Sequence, residues 1–201
     1  MKITLKPGQP GILIFNLVAV TAFSILFVSR QNYEFLLYIG VILFFLGLIL
    51  LTNDKVDFPN SVLWGLTAWA LLHMAGGGLY LDGQKFYELM LVPLVGEPYH
   101  IFKYDQFVHI VGFATATLVM YHLAVPLLRP ELKKWTALSI IIVMAGLGTG
   151  ALNEIVEFAA TVLIPETGVG GYVNNSLDLV ADLIGALLAL VLIRLRERKT
   201  R

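Results

Sequence analysis

Cysteine is absent from the 201 residues, which removes disulfides, thiolate metal sites, iron–sulfur clusters and cysteine nucleophiles. Charge is scarce as well: 14% of residues are charged, against roughly 25% in an ordinary soluble domain. What charge exists is balanced, with 14 Lys+Arg against 14 Asp+Glu. No basic field is left to hold phosphates, so nucleic-acid binding is excluded. A Gly-rich phosphate loop, HExxH and Gly-x-Ser-x-Gly are missing too. Internal repeats and low-complexity linkers are not seen.

What is there is apolar. Hydrophobic residues make up 58% of the chain and the mean hydropathy is +0.80. A soluble core of this size could not hide so much apolar surface. The expectation is one all-α polytopic membrane domain over residues 1–201, a single bundle of six transmembrane helices near 11–28, 33–52, 59–81, 105–128, 135–164 and 174–195. Lys2 and Lys6 precede the first run as in a secretory signal. The run is too long for a signal core and no small-residue cleavage site follows, so it reads as an uncleaved span. Gly146 and Gly150 form a small-xxx-small pair for close helix packing.

Orientation follows from the basic residues. With the N-terminus inside, Lys2, Lys6, Lys55, Arg129, Lys133, Lys134, Arg194, Arg196, Arg198, Lys199 and Arg201 are cytoplasmic, and Arg30, Lys85 and Lys103 are outside: eleven against three. Both termini are therefore expected in the cytoplasm, with the protein in the bacterial cytoplasmic membrane and the lipid bilayer as its partner. The outer loop 82–104 places Phe86, Leu89, Met90 and Leu91 among Lys85 and Glu88, which suggests a short amphipathic helix ending near Pro93.

Spans one and two carry almost nothing ionisable and read as scaffold. The other four carry His73, then Asp105 and His109, then Asn153, Glu154 and Glu157, then Asn174, Asp178 and Asp182. Asp105 and His109 are i,i+4; Glu154 and Glu157 are i,i+3; Asn174, Asp178 and Asp182 run i,i+4,i+8. Each set forms one polar face. At about 1.5 Å per residue these groups lie within roughly 15 Å of the outer helix ends, while the inner third carries only His122. Five carboxylates and two imidazoles thus meet at one depth without a lysine or arginine partner in the spans. Protonation, water or a bound cation could resolve that repulsion. A divalent metal accepts both imidazole nitrogen and carboxylate oxygen, and Zn, Mn, Fe or Mg all suit the donors. His73, Asp105, His109, Glu154, Glu157, Asp178 and Asp182 are the candidate ligands. Glu154, Glu157 and Asp182 are the candidate catalytic groups. Asp105 also fits an N-cap of span four, and Asn174 or Ser176 an N-cap of span six. His73 alone fits a satisfied core histidine, and His122 a packing residue.

His73 with Gly76-Gly77-Gly78, Tyr104-Asp105 with His109, Asn153-Glu154-x-x-Glu157, and Asn174-x-x-x-Asp178-x-x-x-Asp182 with Gly185 resemble the YjdF-like bacterial inner-membrane proteins, over roughly residues 59–195. That resemblance implies a fold and no reaction. The second half is also similar to the VanZ-like proteins, with their Asp-x-x-x-His start, Glu-x-x-Gln helix and Asp-x-x-x-Asn-x-x-Gly helix. Here Glu157 and Asp182 replace the Gln and the Asn, which makes the site more acidic. VanZ-like proteins are linked to resistance to teicoplanin-type glycopeptides, so the resemblance implies a role at the cell envelope. The functional expectation is a metal-dependent hydrolase or transferase acting on a lipid or lipid-linked envelope substrate. The other classes are an ion- or proton-coupled transporter and a non-catalytic envelope-stress or resistance scaffold.

Overall fold

The computed structural model describes residues 4–128 and 134–199. Lys2, Arg129, Lys133 and Arg201, which enter the charge count above, lie outside them. The described residues form six α-helices: α1 (Gln9–Ser29), α2 (Tyr33–Val56), α3 (Asn60–Gly78), α4 (Tyr104–Ala124), α5 (Trp135–Leu163) and α6 (Tyr172–Lys199). Local chemistry sets their boundaries. Pro10 sits in the first turn of α1, where its missing N–H costs nothing. The Asn32 side chain accepts the Phe35 N–H and starts α2. Asp57 ends α2 in the left-handed region, and Pro59 flanks the start of α3.

Among the described residues, α1, α2, α4, α5 and α6 are long and apolar enough to cross a membrane. Their outward faces carry residues such as Val18, Phe44, Phe158 and Leu187, exposed as lipid-facing residues are. α3 is less apolar than these five, because Asn60, Trp64, Trp69, His73 and the closing glycines dilute it. It packs against α1 and α4, and a helix sheltered by neighbours needs less lipophilic surface.

The connection between α3 and α4 is not helical as expected. It folds as two antiparallel hairpins around a 3₁₀ turn at Phe86–Glu88. β1 (Tyr80–Leu81) pairs with β2 (Gln84–Lys85), and β3 (Met90–Val95) with β4 (Ile101–Lys103). Asp82 and Gly83 both have positive φ, 51° and 83°, which is the Asp-Gly turn that closes two-residue hairpins. Val92 and Val95 favour strand, and Pro93 would break a helix interior. These hairpins mark one end of the bundle; the starts of α1, α3 and α5 and the end of α6 mark the other.

Close crossings of α4, α5 and α6 hold the polar centre together. A Cβ at Gly185 would stand 2.5 Å from the Ile110 carbonyl oxygen and 2.8 Å from the Ala114 nitrogen, so α6 crosses the α4 backbone there. The Gly146/Gly150 pair does pack closely: Gly146 faces Thr117 and Ala186, and Gly150 faces the Asp182 carboxylate. With those glycines, α6 lies against both neighbours near the level of Asp182.

Candidate functional site

Three helices build a buried polar centre at the hairpin end. From α4 come Gln106 and His109, from α5 Glu154, and from α6 Asn175, Asp178 and Asp182. His109 Nδ1 lies 2.8 Å from Asp182 Oδ1, and His109 Nε2 lies 3.8 Å from Asp105 Oδ1. Gln106 donates to Asp178 Oδ1 at 3.3 Å, and Asn174 donates to Asp178 Oδ2 at 2.5 Å and Asp105 Oδ2 at 3.1 Å. Asn175 donates to Glu154 Oε2 at 2.5 Å. The centre is dry: Asp182 is 0% exposed, Asp178 1%, His109 6% and Glu154 8%.

Two sets of donor atoms lie within 4.8 Å of one another, Asp105–His109–Asp178 and His109–Glu154–Asp182, and either could hold a metal ion. His109 belongs to both. In the second set, Glu154 Oε1 and Asp182 Oδ2 are buried with no hydrogen-bond partner. An unsatisfied buried carboxylate oxygen costs free energy that a cation would offset. Among the described residues, the ion pairs within the centre run from His109 to Asp105 and Asp182.

His73 and Glu157 lie outside both sets. They line a neighbouring small pocket of about 60 Å³, together with Glu34, Tyr38, Tyr87 and Asp105. Asp105 is thus shared by pocket and centre. Glu157 accepts from Asn153 at 2.8 Å. His73 Nδ1 and the Tyr87 hydroxyl are 2.5 Å apart, and the His73 ring is stacked on Trp69 at 5.6 Å. Desolvation pushes the Tyr87 phenol well above its ordinary range, so the hydroxyl keeps its proton at physiological pH. Glycine makes this aromatic cage possible: a Cβ at Gly76 would meet the Tyr87 ring, and one at Gly77 the Phe35 ring.

Several expectations change here. Span two is not mere scaffold, because Glu34 in its first turn is 7% exposed and lines the pocket. Its carboxylate accepts the Gly168 N–H at 2.7 Å, tying down the loop between α5 and α6. Asp105 does not cap α4; Gln106 does, accepting the Lys103 N–H at 2.7 Å. Asn174 and Ser176 do not cap α6, which begins at Tyr172. Gln106, Asn175, Tyr87 and Glu34 also build the site, beyond the residues that spacing points to. Gln106 and Asn175 each neighbour a candidate ligand, but only side-chain direction shows that they reach across to another helix.

A mostly helical, largely apolar chain whose described residues include five helices long and apolar enough to cross a membrane defines the class as a polytopic membrane protein, and a carboxylate–imidazole centre is buried among its helices. The chain belongs to the family described as predicted membrane protein (DUF2238), whose model matches residues 11–199. No curated protein and no solved structure matches it.

Proposed function

We propose that the protein binds one divalent cation at His109, Glu154, Asp178 and Asp182 and uses it as a hydrolase or transferase on a lipid or lipid-linked envelope substrate. Asp105 orients His109 or adds a ligand from the pocket side. The observation that carries this is the pair of bare, buried oxygens, Glu154 Oε1 and Asp182 Oδ2, beside an imidazole. The donor set, one nitrogen among carboxylates without a thiolate, suits Zn, Mn, Fe or Mg. When bound, such an ion supplies a Lewis acid or an acidified water.

The chain's own groups would do the rest. Glu34, Glu157 and the His73–Tyr87 pair face the pocket where a polar head would lie. Glu157 could move a proton at that head, and Tyr87 fixes the His73 ring. In this reading all six helices span, α3 included. The eleven-to-three split of basic residues supports cytoplasmic termini, which puts the hairpins and the pocket at the outer face of a bacterial cytoplasmic membrane. The YjdF-like and VanZ-like motif resemblance supports an envelope role at that face.

Elemental analysis and thermal unfolding of the purified protein test the cation. One divalent ion per chain is expected. Chelator should lower Tm, and adding back one kind of ion should restore it. Asp178→Asn should abolish both the bound ion and the response. Protein with no ion, and with stability indifferent to chelator, would overturn the proposal.

A further inference from the structure

An apolar cavity lies on the other side of the aromatic cage. It is lined by α1, α2, α3, α4 and α5, opens partly between them, and has a volume of about 440 Å³. That is roughly three times the ~150 Å³ apolar cavity that takes up a benzene molecule, so it has room for a chain on the order of 15–20 carbons. Its walls are aliphatic and aromatic, with Phe45, Leu66, Phe113 and Val119 among them.

Most of the polar side chains on those walls are already engaged with protein. Asn16 donates to Ile12 O and to Thr67 at 2.8 and 2.7 Å. Thr149 donates to Gly146 O at 2.6 Å. Asn53 donates to Gln9 at 2.8 Å. Few polar groups are left there to give water the two to four partners it needs. The cavity is built for hydrocarbon, and the hydrocarbon around this bundle is lipid.

The cavity also shares a wall with the polar pocket. Trp69 lines the cavity and its ring is stacked on His73, which lines the pocket. Asn153 lines the cavity and donates to Glu157, which lines the pocket. On the pocket side the Tyr38 hydroxyl is buried with no hydrogen-bond partner, a group free to bond a polar head.

We infer that the 440 Å³ cavity is the binding site for one long hydrocarbon chain of a bilayer lipid. The chain site stands on the cavity itself.

Bromine quenching of Trp69 reads it out directly. The protein has three tryptophans, and replacing Trp64 and Trp135 by Phe leaves Trp69 as the reporter. The full chain in detergent is titrated with phosphatidylglycerol carrying dibrominated acyl chains. Quenching should be saturable and remove half or more of the Trp69 emission. Ala116→Phe, which fills the cavity, should weaken it at least threefold, with Val119→Phe as a second plug if the first fails to fold. Val180→Phe, on an exposed face of α6, should leave it unchanged.

Non-saturable quenching, or equal quenching in both plugged variants, would overturn the inference. The titration is repeated with chelator and with Asp178→Asn, where saturable quenching should persist. Saturable quenching in a protein that never binds an ion sinks the metal proposal and leaves the chain site standing. A normal ion response without saturable quenching does the reverse.

Discussion

At the terminal end, Gln9 of α1 and Asn53 of α2 exchange amide hydrogen bonds at 2.8 and 3.4 Å. Gln9 also donates to Phe58 O at 3.2 Å, and Asn53 to Thr4 O at 3.1 Å. Both residues are 2% exposed, both are neutral, and their amide groups are paired. At the hairpin end, His109, Glu154, Asp178 and Asp182 are buried as deeply, yet they are ionisable, mostly of one sign, and two of their oxygens have no partner. The amide knot closes on itself and needs nothing further. The carboxylate centre does not close on itself, because Glu154 Oε1 and Asp182 Oδ2 are buried without a hydrogen-bond partner. Burial alone therefore says little about function; satisfaction and charge separate a structural polar cluster from one built to take something up.

The largest effect is expected from cutting the knot. Asn53→Leu strands part of the Gln9 amide and the Thr4 carbonyl, and each buried unsatisfied group costs about 1–3 kcal/mol. A loss of roughly 3 kcal/mol is expected, the same with chelator and with added ion, measured by thermal or denaturant unfolding in one detergent. A loss that varies with divalent ion would mean that the two clusters are coupled, and the contrast drawn above would fail.

The polar faces of α4, α5 and α6 were legible because helical spacing alone puts Asn174, Asp178 and Asp182 on one stripe and Asp105 beside His109. Depth was legible too, since counting residues from the helix ends brought His109, Glu154 and Asp182 to one level. Which groups share a compartment was not legible. His73 and Glu157 lie at the same depth as the centre, but their side chains point into the neighbouring pocket, and no spacing rule carries that information. Glu34 opens a span that otherwise carries almost nothing ionisable, and no spacing rule ties it to the polar faces of the other helices. The Gly76-Gly77-Gly78 run gave no hint that Tyr87 and Phe35 would press against it. The hairpins had a readable signal in Asp82-Gly83, which the amphipathic pattern around Phe86 and Met90 obscured.

The next effect in size sets the sign for the centre. Glu154→Gln removes one charge and keeps the shape, so Asn175 still has an oxygen to bond. In chelator the substitution should be neutral or stabilising, because one like charge leaves a dry cluster. With ion at about a hundred times its Kd, the wild type should gain about 2.7 kcal/mol and the variant almost none. Thermal unfolding across an ion titration measures both arms. A variant that is clearly destabilised in chelator would show that the ionised carboxylate is satisfied without an ion, and the centre would then resemble the knot.

The smallest effect concerns the boundary between centre and pocket. Tyr87→Phe removes the hydroxyl that lies 2.5 Å from His73 Nδ1 and keeps the ring that packs against Gly76. One lost hydrogen bond costs about 1 kcal/mol. His73 lies outside both donor sets, so the cation affinity should change less than about twofold. Were His73 a ligand, loss of the group that orients its ring would weaken binding by about 10–100-fold. Isothermal titration of the chelated protein with the restoring ion separates these outcomes. A tenfold loss would move His73 into the metal site and merge the two compartments. An unchanged affinity with Tm lowered by a few degrees would leave the cation at His109, Glu154, Asp178 and Asp182, and the His73–Tyr87 pair on the side where a lipid head would lie.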